Sequence, residues 1–448
     1  MSAKWSVPYP PSSVRMERQA IACAFLGLAL LALASVVHWQ RSAVRLSDEA
    51  KPRLAATPIY STTWLMQDQP PTAAPLAGRA PPSTKAVAQE RVSVAPSSPG
   101  PQVPYQQLPY LSAIGAVNSV TRSGEVRSVT VAVIDSGVDA THPDLVGHIW
   151  ENPRWRADGS ETVDDCPRDR HGCAFVSAGT ADASCGYEST GPNGAIADDN
   201  GHGTFVAGVV LTAAASGLSE ASADVRILPV KVLDCTGEGL ASQAAAGIRY
   251  AARSGARVIV LAFTGTSDSP ALREAVVEAR QTYGALIVAA AGNDGSTVAQ
   301  FPSSDPGVLA VGGTGVVRID GQVDYQVRTP FSNMSDAVRV LAPAVAILGP
   351  IPRALCGHRD WTCIQGEPRA LASGTSYAAP LVAGAAAVLM ADDLSLTPDD
   401  AIRLLIGSSR PIVGSTIGQV DIGAALILAR SWREGLTGAP RQRVPKSD

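Results

Sequence analysis

Between residues 129 and 311 the chain repeats one pattern: a short run of mainly apolar, largely β-branched residues, interrupted only by Thr130 in the first run and by Arg226 and Lys231 in the second, followed by a longer segment of helical character. The runs lie at 129–134, 225–232, 258–262, 286–290 and 308–311. A strand with one wet face alternates apolar and polar residues; these runs do not alternate, so each needs cover on both faces. The cover is in the intervening segments at 202–215, 240–252 and 271–283, the last opened by Ser269 as a cap and Pro270 in the first turn. Strand and helix alternating in this way predict an α/β fold, a mostly parallel central sheet with helices on both faces. In such sheets chemistry gathers where strands end and helices begin.

The 448 residues, 46% hydrophobic and 17% charged, are enough for one large core, and 36 basic against 40 acidic residues leave no positive excess to neutralise phosphates, so nucleic acid is excluded as a partner. One apolar stretch, residues 20–37, approaches a bilayer's thickness, which excludes a polytopic membrane protein. It follows a polar flank, 1–19, carrying Lys4, Arg15 and Arg18, and so reads as a signal peptide or a single-pass transmembrane anchor. Ala32-Leu33-Ala34 has small-x-small cleavage spacing, yet the apolar run continues through Val37, and both fates stay open. Residues 38–106 read as a Pro-rich linker: 12 of the 33 prolines fall between Pro52 and Pro109, with only two glycines and no hydrophobic periodicity. The folded unit is expected at 107–432, with a polar tail at 433–448.

Four segments of that unit carry candidate chemistry. A buried run ends in Asp135, followed by Ser136-Gly137. His202 stands between Gly201 and Gly203 at the head of a small-residue helix, where the glycines permit a tight turn and close approach of other segments. Asn293 follows Ala291-Gly292 at the end of another buried run, its amide able to donate into a cleft. Ser376 heads a strongly apolar helix, beside free N–H groups able to stabilise an oxyanion. Singly, each has a plainer use as a turn former, a cap or a core residue; the four in this order are specific. Gly374-Thr375-Ser376-Tyr377-Ala378 lacks the second glycine of an α/β-hydrolase elbow, and no zinc-peptidase or P-loop motif occurs.

In Ile134-Asp135-Ser136-Gly137-Val138, the N-G-H-G-T-x-V-A-G run around His202, Ala290-Ala291-Gly292-Asn293 and the G-T-S-x-A-x-P run around Ser376, the chain resembles the subtilisin-like serine peptidases. The resemblance implies peptide-bond hydrolysis through an acyl-enzyme, with Asp135 as orienting acid, His202 as general base, Ser376 as nucleophile and Asn293 as oxyanion-hole donor. It implies polypeptide substrates, no cofactor for the chemistry, and action outside the cytoplasm as a secreted, periplasmic or outward-anchored monomer. A catalytically silent binding or scaffold protein of the same fold is the alternative, and esterase or peptide-transfer activity would use the same residues.

The chain also departs from the family pattern. The cleft wall, usually N-M-S-L-G-G, has Ala262, Phe263, Thr264 and Gly265 in its last four places, and Gln300, before Phe301-Pro302, falls on the pocket floor, favouring small or polar residues before the scissile bond. Phe205 stands where a second histidine is usual. Spacings of 67 residues from Asp135 to His202 and 83 from Asn293 to Ser376 imply inserted loops. Those loops hold most of the six cysteines outside the apolar segment, expected to pair as Cys166 with Cys173, Cys356 with Cys363 and Cys185 with Cys235; zinc held by Cys166, His171 and Cys173 is the rival. Calcium has weak support: His142-Pro143-Asp144-Leu145 resembles a family motif whose Asp often contributes to a calcium site, but residues 214–223 offer Glu220 as their only carboxylate. No metal site is expected.

Overall fold

The computed structural model describes residues 66–67, 108–115, 127–155, 166, 169–176, 196–217, 223–265, 268–358 and 361–435. The signal or anchor segment, most of the linker, Cys185, Glu220 and the tail beyond residue 435 lie outside them. Five parallel strands form the middle of the sheet: β1 (Arg127–Asp135), β2 (Ala223–Lys231), β3 (Val258–Leu261), β4 (Leu286–Ala290) and β5 (Val308–Val317). Their order is β5-β4-β3-β1-β2, with the two-residue strand Cys173–Ala174 beyond β2. On the other side β5 carries β6 (Val323–Arg328), antiparallel, and β7 (Val338–Pro343), parallel. A separate antiparallel hairpin, β8 (Ile347–Pro350) and β9 (Arg369–Ala372), leads into the serine helix.

The two-residue period of these strands separates two cores. Val129, Val131 and Val133 of β1, with Val258 and Val260 of β3, pack against α1 (His202–Gly217) and α4 (Thr375–Asp392). Ala132 and Ile134, with Ile259 and Leu261, pack against α2 (Ala241–Arg253) and α3 (Pro270–Gln281). Both faces are covered, as the mainly apolar runs require. The helices carrying His202 and Ser376 therefore share one face and meet above the C-terminal ends of β1 and β4.

α4 is long and apolar enough to cross a membrane, yet all 18 of its residues are buried in the fold. Pro380, at its sixth position, has no N–H for the carbonyl of Ser376 four residues back, so one bond of the helical ladder is missing next to the serine. Ser269 caps α3 through Leu272 N, with Pro270 at the first position. α5 (Pro398–Gly407) and α6 (Ile422–Arg433) close the domain, the last helix running one residue past the expected boundary. Within the expected linker, Met66–Gln67 lies parallel to Gly239–Leu240; pairing of two residues through the backbone needs no core of its own.

Candidate active site

Asp135 ends β1 with its side chain fully buried, and its carboxylate is held by the backbone N–H of Ser136 at 2.7 Å. His202 opens α1, and its Nδ1 lies 2.9 and 3.0 Å from the two Asp135 oxygens. A ring nitrogen shared with a carboxylate carries the proton, which leaves Nε2 as the basic nitrogen. The flanking glycines are demanded by contact. Gly201 has φ +98, and a Cβ there would lie 2.5 Å from Trp361 Nε1; a Cβ on Gly203 would strike Gly137 O at 2.1 Å and approach Asp135 Cβ to 3.1 Å.

The strand end and the helix start are tied by a buried polar cluster. Ser136 Oγ donates to Asp198 Oδ1 at 2.9 Å and accepts from Gly203 N at 3.0 Å. Asp198 also accepts from Asn200 N, Gly201 N, Thr204 N and Thr204 Oγ1, so one carboxylate organises the whole turn before the histidine. Burial pushes its pKa up, opposed by Lys231 and by the bonds from Thr204 and Gly201. Lys231 Nζ donates to Ser136 O and to Asp199 Oδ1. An Asp-Asp-Asn run reads in sequence as turn formers, so this cluster was not anticipated; its position four residues before His202 was the available signal.

Ser376 is the second residue of α4 and is buried. Its placement depends on Asn293, whose Oδ1 accepts from Thr375 N at 2.8 Å and Thr375 Oγ1 at 3.0 Å, while Thr375 Oγ1 accepts from Gly292 N at 3.1 Å. With Oδ1 committed, Nδ2 is the amide's remaining end, and it stands 3.5 Å from where a Cβ on Gly374 would be. The Asn293 donor and the open first turn of α4 thus flank the serine. Asp135 and His202 are joined, and Asn293 and the Ser376 turn are joined. Ser376 Oγ and His202 Nε2 are not in a hydrogen bond, a contact that often tightens only when substrate binds.

The expected cleft wall is buried throughout, Ala262, Phe263, Thr264 and Gly265 included. Gly265 exchanges backbone hydrogen bonds with Phe301, which brings Gln300 beside this segment. Gln300 Nε2 donates to Asp294 Oδ2 at 2.6 Å, and a Cβ on Gly292 would lie 2.3 Å from its Oε1, so the side chain leans over the turn that carries Asn293. Cys166–Cys173 and Cys356–Cys363 are disulfides, each across seven residues. The first removes both thiolates from the zinc alternative, and His171 turns Nδ1 to Trp150 O. Cys235 is also disulfide-bonded, while its expected partner lies outside the described residues. Asp144 is held by the Arg369 guanidinium, with Nε at 2.7 Å from Oδ2, so a cation already occupies that carboxylate.

The sequence profile of the subtilase family matches residues 127–423, which contain all of this geometry. The chain belongs to the subtilase family. Among subtilases it is 36% identical over 261 residues to a thermophilic serine proteinase of Bacillus sp. (strain AK1), covering 58% of this chain and 51% of that one. It is 32% identical over 281 residues to the cell wall-associated protease of Bacillus subtilis (strain 168), covering 62% of this chain and 25% of the relative. The chain thus spans about half and a quarter of these relatives' lengths. A solved protease structure from Pseudoalteromonas arctica aligns with a TM-score of 0.50 at 24% identity, over 72% of this chain and 94% of that one, and shares the fold.

Proposed function

We propose that the protein is a serine endopeptidase working through Asp135, His202 and Ser376. The observation that carries this is the buried Asp135–His202 Nδ1 bond at the foot of α1, beside an α4 N-terminus whose turn is held by Asn293. A serine hydroxyl is a weak nucleophile until a base takes its proton during attack. As Ser376 Oγ bonds to the scissile carbonyl carbon, its proton passes to His202 Nε2, and Asp135 stabilises the imidazolium through Nδ1. The carbonyl oxygen, now anionic, accepts from Asn293 Nδ2 and the Ser376 N–H. Collapse expels the amine, which takes the proton from Nε2; water then repeats the sequence on the acyl-enzyme.

Substrates are polypeptides. The backbone of 262–264 offers a strand to the peptide, Gly265 being paired with Phe301, and the Gln300 amide beside Asn293 favours small or polar residues before the cleaved bond. No cofactor enters this chemistry, and the Asp144–Arg369 ion pair weighs against calcium at that carboxylate. Disulfides suit an exported protein, and we place it outside the cytoplasm, secreted, periplasmic or tethered by residues 20–37, acting as a monomer. The test is hydrolysis of a peptide library by the purified protein beside Ser376→Ala: cleavage lost in the variant supports the reading. Equal cleavage by both, or none by either, sinks it.

A further inference from the structure

We propose that Trp361, on the disulfide-clasped loop between β8 and β9, is a positioning residue for His202, acting through Asn200 and Phe205. The inference rests on the peptidase reading above. Trp361 reaches the base by two routes. Its indole N–H donates to Asn200 O at 2.8 Å, and Asn200 Oδ1 in turn accepts the backbone N–H of His202 at 3.2 Å. Its ring also stacks on Phe205, with centroids 5.6 Å apart and planes at 23°. Phe205 packs on Tyr377 at 4.5 Å, and Tyr377, the residue after the nucleophile, packs on the His202 ring at 5.5 Å. A column of rings therefore spans the two helix starts whose separation decides whether Nε2 reaches Ser376 Oγ.

The surroundings are shaped for this contact. Gly201 leaves the space that the indole fills, and a Cβ on Gly349 of β8 would stand 2.6 Å from the Phe205 ring. The loop is itself held: Cys356–Cys363 closes it, Gly357 N donates to Trp361 O, Trp361 N donates to His358 O, and His142 Nε2 meets Pro368 O at 2.9 Å. A base is kept in its productive geometry when the groups behind it have locked positions. Phe205 occupies the usual second-histidine position, and Trp361 is the partner that this substitution packs against.

The test compares Trp361→Ala, Trp361→Phe and the paired Cys356→Ser/Cys363→Ser variant with wild type. Trp361→Ala should lower kcat about tenfold or more with KM nearly unchanged, since small misplacements of a reacting group cost rate steeply. It should also shift the acid limb of the kcat/KM pH profile, which reports the base. Trp361→Phe, which keeps the stack and loses the indole N–H, should recover part of the rate, and the paired cysteine variant should move both readouts in the direction of Trp361→Ala. Wild-type kcat and pH profile in Trp361→Ala, with only a lower melting temperature, would overturn the proposal. The titration of the His202 ring followed by NMR in the Ser376→Ala background does not depend on turnover. If the protein hydrolyses nothing, the peptidase reading fails, while a His202 titration moved by Trp361→Ala still supports positioning and an unmoved one overturns it.

Discussion

Asn293 is asked to do two things with one amide, and two substitutions probe them. Its Oδ1 holds Thr375 N and Thr375 Oγ1, and its Nδ2 is assigned to the oxyanion. Asn293→Ala removes both, leaving a buried backbone N–H without its acceptor, at a cost of about 1–3 kcal/mol of stability. It also removes the donor, for which the same kind of substitution in a subtilisin gives about 100- to 1000-fold in kcat, or about 2.7–4 kcal/mol of barrier. Asn293→Asp keeps an acceptor for Thr375 and replaces the donor with a carboxylate oxygen that repels a developing oxyanion. The expected outcome is kcat reduced at least 100-fold in both, with the melting temperature lowered in Asn293→Ala by the lost acceptor for Thr375 and in Asn293→Asp by the buried carboxylate. Calorimetry and steady-state cleavage of one peptide substrate read the two effects. An Asn293→Asp enzyme with near wild-type kcat would refute the assignment of Nδ2, whatever its stability.

Two further outcomes follow from the loop contacts. His142 is buried, with Nδ1 accepting from Asp144 N and Nε2 donating to Pro368 O, so it is held neutral; burial lowers its pKa from 6.5, offset in part by the Pro368 bond. The unfolded chain binds this proton more readily than the folded one, so His142's contribution is present above pH 6.5 and is lost as pH falls below it. Thermal melts from about pH 8 to 5 should slope downward on the acid side, and His142→Gln should flatten that slope; an equal slope in both would reject the assignment. Because Arg369 already neutralises Asp144, excess EDTA should leave the melting temperature unchanged, and a drop reversed by calcium would place a cation site that the Asp144–Arg369 pair argues against.

Much of this arrangement is readable in the chain because local chemistry and tertiary demand agree. The strand ending at Asp135, the glycines around His202 and the apolar helix behind Ser376 are constrained by packing on both faces of one sheet, and packing of that kind leaves its mark on composition. The two seven-residue cysteine spacings suit local clasps, and both pairs form disulfides. Contacts between distant segments leave no such mark. Trp361 meets Asn200 and Phe205 across more than 150 positions, and nothing near either partner announces the other. Phe205 reads in the sequence only as a departure from the usual histidine, because its value lies in the ring it stacks on. Asp198 was equally silent: five donors converge on it only once β1 and α1 are side by side. Gln300 was placed by its neighbours Phe301-Pro302, but its engagement with Asp294 depends on the turn that carries Asn293.

The central claim is that Ser376 is a nucleophile activated by His202. Reaction of the purified protein with a fluorophosphonate, followed by mass spectrometry to locate the adduct, tests it directly. A single phosphonyl adduct on Ser376 in the wild type, absent from both Ser376→Ala and His202→Ala, is the predicted result; no adduct on a folded, disulfide-intact protein, or one that persists in His202→Ala, would contradict it.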